Sequence, residues 1–231
     1  VLRRIDAGGD WFLLGYGLDG ARAVLGILAG AMLSLVVFTF SALDQQARVV
    51  ASRLQSRGLG VGDHVALIGA NSAEFAAAWF GIVYAGCAVV PIPILSAAPE
   101  LTFRIEHAGC KAVLHDDERA ALVALSVAAQ THQPVCMPLA QITEAADDAR
   151  RYPMDTAPGD TAWVLYTSGT TGKAKGAAIS HASLLTHCAV LAQHALRLTE
   201  HDRVLGVLPL THSYGCRMLL LASCFAGARV V

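Results

Sequence analysis

Between Tyr166 and Gly176 the chain reads Tyr-Thr-Ser-Gly-Thr-Thr-Gly-Lys-Ala-Lys-Gly. The segment gathers hydroxyl side chains (Thr167, Ser168, Thr170, Thr171), glycines (Gly169, Gly172, Gly176) and two lysines (Lys173, Lys175) in one loop. A polyphosphate needs this combination. Glycines let backbone N–H groups approach and converge on oxygen atoms, hydroxyls donate further hydrogen bonds, and ammonium groups neutralise charge. A Walker-type loop is excluded, because Gly169 and Gly172 stand too close together and Ala174 occupies a position that motif gives to Ser or Thr.

The other reactive residue types form no comparable group. The six cysteines include no C-x-x-C pair and the nine histidines no H-E-x-x-H, which argues against a disulfide framework and a zinc site and suits a reducing compartment. Cys188, Cys216 and Cys224 read as small buried apolar residues. His187 and His194 are seven apart on one helix face and read as surface residues. His181 follows Ser180, an N-cap candidate for a helix over Ala182–Leu196. His212, in Pro209-Leu210-Thr211-His212-Ser213-Tyr214-Gly215, reads by itself as an exposed or capping loop histidine.

An α/β framework must hold the loop. Leu43, Ala47, Val50, Ala51 and Leu54 fall at helical spacing, with Gly58 ending that helix. His64–Gly69 is a continuous apolar run, the pattern of a strand buried on both faces. Asn71-Ser72 offers N-cap chemistry for a helix over Ala73–Ala85. Strand Cys87–Ile92, a helix opened by Pro99-Glu100, strand Lys111–His115, helix Glu118–Ala129 and strand Ala162–Tyr166 follow. Such strand–helix repeats predict layered, parallel, doubly wound sheets with ligand at the carboxyl ends of the strands. The polar stretch Gln141–Pro158 reads as an irregular surface connection.

At 55% apolar and 15% charged residues, the composition supports a sizeable core and excludes disorder. A formal net charge of −1 gives no electrostatic ground for nucleic acid or an anionic membrane as partner. The uncharged run Ala23–Leu43 is long enough on paper to cross a bilayer, but its latter part runs into the polar helix pattern Asp44–Arg48. A buried N-terminal segment is the favoured reading over a membrane anchor. The closing residues Ala228–Val231 read as a buried strand after a glycine turn, which suggests a sequence cut within its sheet.

The Tyr166–Gly176 segment resembles the signature loop of the adenylate-forming superfamily, written Y-T-S-G-T-T-G-x-P-K-G, with Ala174 in place of the proline. Phe40–Val61 with Gly62-Asp63, Asn71–Pro93, and Pro209–Gly215 followed by Phe225–Ala228 resemble further blocks of AMP-forming acyl-CoA synthetases. The resemblance covers residues 38–231, the N-terminal part of an AMP-binding domain, and leaves residues 1–37 unassigned.

That resemblance implies a two-step activation of a carboxylic acid. The carboxylate attacks the α-phosphorus of ATP, expelling pyrophosphate, and a thiol, commonly of coenzyme A, then displaces AMP. Thr167, Ser168, Gly169, Thr170, Thr171, Gly172, Lys173 and Lys175 would hold the phosphates, bridged by Mg2+, while His212, Tyr214 and Gly215 would face the acid. No catalytic residue is assigned within the chain. Amino-acid-activating relatives carry an aspartate at the His212 position, so a fatty or aryl acid is expected, in a cytoplasmic protein. The blocks Y-G-x-T-E and T-G-D and the C-terminal lid lysine are absent, so these residues alone are expected to be inactive. The alternatives are a ligase loading a carrier protein and a non-catalytic nucleotide-binding remnant.

Overall fold

The computed structural model describes residues 42–128, 130–143, 155–167 and 174–231. Helix α1 spans 42–55 and buries Ala47, Val50, Ala51 and Leu54, the stripe its periodicity predicts. It ends before Gly58, whose φ of 79° lies in the left-handed region. The run Ala23–Leu43 and the boundary at residue 38 fall almost wholly outside the described residues. Among the described residues, no helix is long and apolar enough to cross a membrane.

Strands β1 (His64–Ile68), β2 (Ala88–Pro91), β3 (Cys110–His115), β4 (Val135–Pro138), β5 (Thr161–Thr167) and β6 (Lys175–Ser180) form one sheet in the order β4-β3-β1-β2-β5-β6. All neighbours pair in parallel except β5 and β6, which are antiparallel. The crossovers are α2 (Ala73–Tyr84), α3 (Ala98–His107) and α4 (Ala120–Ala128). Ser72 caps α2 by accepting the Phe75 N–H at 3.0 Å, as its position before the apolar run predicts.

Side chains alternate across the sheet and so build two cores. Val65 and Leu67 of β1 join Phe75, Trp79 and Ile82 of α2 and Leu54 of α1 on one face. Ala66 and Ile68 join Leu101 and Ile105 of α3 and Val123 of α4 on the other. Each fully buried Leu, Ile or Phe contributes about 1.5–3 kcal/mol, so a strand slipped by one residue would exchange two cores at once. This is a doubly wound α/β layer, as expected.

Several local expectations need correction. Strand β4 lies in residues that the sequence pattern leaves unassigned, and the short helix α5 (Leu139–Thr143) runs into the expected connection, where Ile142 and Thr143 are buried, so the surface connection cannot begin at Gln141. Residues 144–154 of that connection lie outside the described residues. The helix expected over Glu118–Ala129 opens with a 3₁₀ turn at Asp117–Arg119. Helix α6 (His181–Val190) widens into a π-helical turn over Leu191–Ala195. A second small sheet pairs β7 (Arg203–Val204) with β8 (Arg229–Val230) in parallel. Strand β8 is exposed, with only Ala228 of the closing residues buried, against the buried strand expected there. Pairing β8 with a two-residue partner leaves its faces uncovered within these residues.

Candidate functional site

The glycine- and hydroxyl-rich loop joins β5 to β6. Cross-strand register sets Leu165 opposite Ala177, Tyr166 opposite Gly176 and Thr167 opposite Lys175. Both ends of the predicted loop are therefore strand, a pairing that the sequence reading missed. Thr167 and Lys175 face each other across the mouth of the hairpin at the carboxyl end of β5, and both are exposed. Ser168, Gly169, Thr170, Thr171, Gly172 and Lys173 lie outside the described residues.

The base of the hairpin is anchored in the second core. Tyr166 is buried, and its hydroxyl lies 2.8 Å from His107 Nδ1 on α3. The Phe103 ring meets it edge-on at 6.3 Å, and the Arg104 guanidinium lies 5.4 Å from its centroid. Burial pushes the phenol up to about 12, with Arg104 acting in the opposite sense, so the hydroxyl keeps its proton near neutrality. A Cβ on Gly176 would sit 3.2 Å from Val164 Cγ1 and 3.3 Å from Tyr166 Cζ. Glycine opposite tyrosine thus lets the ring close over the partner strand.

The second segment, Pro209–Gly215, is folded into a tight turn. The His212 N–H donates to the Pro209 carbonyl at 3.1 Å, and the Cys216 N–H donates to the His212 carbonyl at 2.9 Å. His212 is exposed and caps α7 (Ser213–Gly215), its Nδ1 accepting the Tyr214 N–H at 3.3 Å. An accepting Nδ1 places the proton of the neutral ring on Nε2, which is left as a donor. Tyr214 is 57% exposed, whereas Gly215 is buried. A Cβ on Gly215 would meet the Pro209 backbone, with its carbonyl carbon only 2.9 Å away. A π-helical turn over Cys216–Leu221 and helix α8 (Ala222–Ala226) continue from this turn.

A contact missed in the sequence joins this turn to the large sheet. Asn71, just beyond β1, donates through Nδ2 to the Leu208 carbonyl at 2.8 Å and to the Gly206 carbonyl at 3.4 Å. Its Oδ1 accepts the Leu210 N–H at 2.8 Å. The contacts span 135 to 139 residues of chain, and local periodicity carries no signal for them.

Among the described residues, no group of three or more His, Cys, Asp or Glu could hold a metal ion. The hairpin mouth offers the Thr167 hydroxyl and the Lys175 ammonium. Only the hydroxyl could ligate a magnesium ion, which would therefore have to be held chiefly by a nucleotide's own phosphates, while the ammonium would pair with phosphate oxygen. Cys216 is fully buried and Cys188 nearly so, as expected for apolar packing, whereas Cys224, expected to be buried, is only partly so. His187 and His194 are exposed.

Comparison with known proteins gives this geometry a context. The profile of the family described as AMP-binding enzyme matches residues 30–231. A feruloyl-CoA synthase of Amycolatopsis sp is 30% identical over 196 residues, covering 84% of this chain and 38% of that protein. Surfactin synthase subunit 2 of Bacillus subtilis is 29% identical over 168 residues, covering 72% of this chain and 4% of that protein. Among solved structures, ATP-bound MatB from Rhodopseudomonas palustris superposes with a TM-score of 0.73 at 29% identity. That match covers 81% of this chain and 38% of MatB. The chain thus spans well under half the length of these relatives.

Proposed function

Since the chain belongs to the AMP-binding enzyme family, we propose that the protein carrying it activates a fatty or aryl carboxylic acid with ATP and passes the acyl group to coenzyme A. In the first step a carboxylate oxygen attacks the α-phosphorus and the bond to pyrophosphate breaks, giving an acyl-adenylate. In the second, a thiolate attacks the acyl carbonyl and AMP leaves. The β5–β6 hairpin mouth carries the reading: Thr167 and Lys175 face each other where a polyphosphate would enter. Hydroxyls and backbone N–H groups of Ser168, Gly169, Thr170, Thr171 and Gly172, with Lys173 and Lys175, would take up charge as pyrophosphate departs. The Thr167 hydroxyl would help hold a Mg2+ ion carried with the nucleotide, and bound there the ion would add charge neutralisation.

On this reading His212 donates from Nε2–H to the acid's carboxylate, with Tyr214 and Gly215 lining the same side. Orienting the nucleophile raises its effective concentration. A histidine at this position offers no carboxylate to pair with an α-ammonium group, which favours acids lacking one. The similarity to surfactin synthase subunit 2 supports a second acceptor, the thiol of a carrier protein. Residues 38–231, within the profile match that begins at residue 30, would be the N-terminal part of the AMP-binding domain, in a cytoplasmic protein.

The test is acid-dependent ATP–pyrophosphate exchange across a panel of fatty, aryl and amino acids. It is run on the 231-residue chain and on the chain extended by its downstream reading frame. Exchange by the extended protein with a fatty or aryl acid, and none by the 231 residues alone, is the expected result. Exchange restricted to amino acids would overturn the substrate assignment. Robust exchange by the 231 residues would overturn their inactivity, and none by either protein with any acid would overturn the ligase reading.

A further inference from the structure

The sequence sets Asn71 and Ser72 side by side before α2, and either could cap that helix. The structure divides their roles. Ser72 accepts the Phe75 N–H and is the cap. Asn71 is thereby free, and its amide turns outward onto the Gly206–Leu210 segment through two bonds of 2.8 Å and a longer one.

The geometry of this amide matches its target. An asparagine presents one acceptor and two donors in one plane. The Leu208 carbonyl and Leu210 N–H present the complementary pair, so Asn71 reads the backbone as an adjoining strand would. The same segment is held on its other side by the residue that follows β8, where the Gly206 N–H donates to the Val231 carbonyl at 2.7 Å. Asn71 therefore bridges the end of β1 in the large sheet to the residues that follow β7 in the small one. Two residues past the clamped Leu210 lies His212, whose turn is closed by its own N–H on Pro209. Freedom at 206–210 would be passed directly to the imidazole.

We propose that Asn71 is a positioning residue: by clamping Leu208 and Leu210 to the end of β1, it holds the His212 turn in place and keeps the imidazole in its Nε2–H tautomer. It touches no reacting atom. The consequence for acid binding rests on the ligase reading above, but the clamp itself does not. Asn71 is exposed and belongs to neither core, so its replacement leaves the fold standing.

Two measurements separate the clamp from the activity. In the 231-residue chain, Asn71→Ala should speed exchange of the Leu210 amide hydrogen about tenfold, the loss expected for one hydrogen bond to an amide with no other partner. The nitrogen shifts of His212 should move from the Nε2–H pattern toward averaged tautomers. Asn71→Asp keeps the acceptor for Leu210 and should retain that amide's protection. Leu210 exchange within twofold of the parent in Asn71→Ala, with His212 unchanged, overturns the clamp. In the extended protein, Asn71→Ala should raise KM for the acid about tenfold while KM for ATP stays within twofold. An equal rise in both constants, or a change in neither, overturns the positioning role. Absence of acid-dependent exchange in the parent protein counts against the ligase reading alone, because amide exchange still decides whether the clamp exists.

Discussion

Replacing Gly215 by alanine sets two effects of opposite sign against each other. Gly215 has φ −60° and ψ −49°, an ordinary helical conformation. On propensity alone, alanine would stabilise the chain by about 1 kcal/mol. The surroundings say the reverse. A Cβ would lie 2.9 Å from the Pro209 carbonyl carbon and 3.2 Å from that of Leu208, and closer still to the Pro209 oxygen. All of these are backbone atoms, which cannot rotate away. Relief requires opening the turn that the His212 N–H closes on Pro209. That loses roughly 1 kcal/mol of hydrogen bonding on top of overpacking of about 1–3 kcal/mol. The net expectation is a loss of about 1–3 kcal/mol, measured as a lower urea midpoint with unchanged slope. Gly159, with nothing within 4 Å of a built Cβ and no positive φ, is the control, where alanine should be neutral or mildly stabilising. A Gly215→Ala chain as stable as the Gly159→Ala chain would refute the claim that the turn is held shut against its own backbone.

Other expectations are simpler. Thiol labelling of the native chain near pH 7.5 should modify Cys136 first, since it is exposed, whereas Cys87, Cys110, Cys188 and Cys216 are buried. Burial also pushes Cys87 and Cys110 up to about 12. A fast phase that survives Cys136→Ser would contradict this exposure pattern. Partial burial lowers the titration of His181, opposed by the Asp160 carboxylate, and slight desolvation lowers that of the largely exposed His187, joined by the Arg217 charge. The unfolded chain therefore takes up protons first as the pH falls from the ordinary value of 6.5. Their contribution to stability is full above that pH and drains below it, until the folded form also protonates. Denaturation curves between pH 7.5 and 5 should show this decline, and His181→Gln should flatten part of it. An unchanged pH slope in His181→Gln would exclude that residue as a source.

The parts legible in the sequence are those where local pattern and tertiary environment agree. Val65–Ile68 is an unbroken apolar run because both of its faces are covered, and Ser72 stands where a cap is needed. Strand β4 was not legible. Val135 and Cys136 are exposed at the sheet edge, and prolines at 134 and 138 bracket a stretch too short to show a period. Strand β6 reads Lys-Gly-Ala-Ala-Ile-Ser, with one β-branched apolar residue, and becomes a strand through pairing with β5. The site's scaffold was hidden for the same reason. Tyr166 meets His107 across 59 residues and Asn71 meets Leu210 across 139, distances at which no spacing rule operates. The loop's residue types, by contrast, stand in consecutive positions, so reading them needs no tertiary contact.

On the proposed function, the loop between β5 and β6 grips the phosphates of ATP. In the extended protein, Thr170, Thr171 and Lys173 are replaced together by alanine and acid-dependent pyrophosphate exchange is measured with the preferred acid. If these residues meet the departing charge as proposed, their loss predicts a fall of at least about 10³ in rate, with the thermal midpoint little changed. Exchange at the parent rate would contradict phosphate binding by this loop.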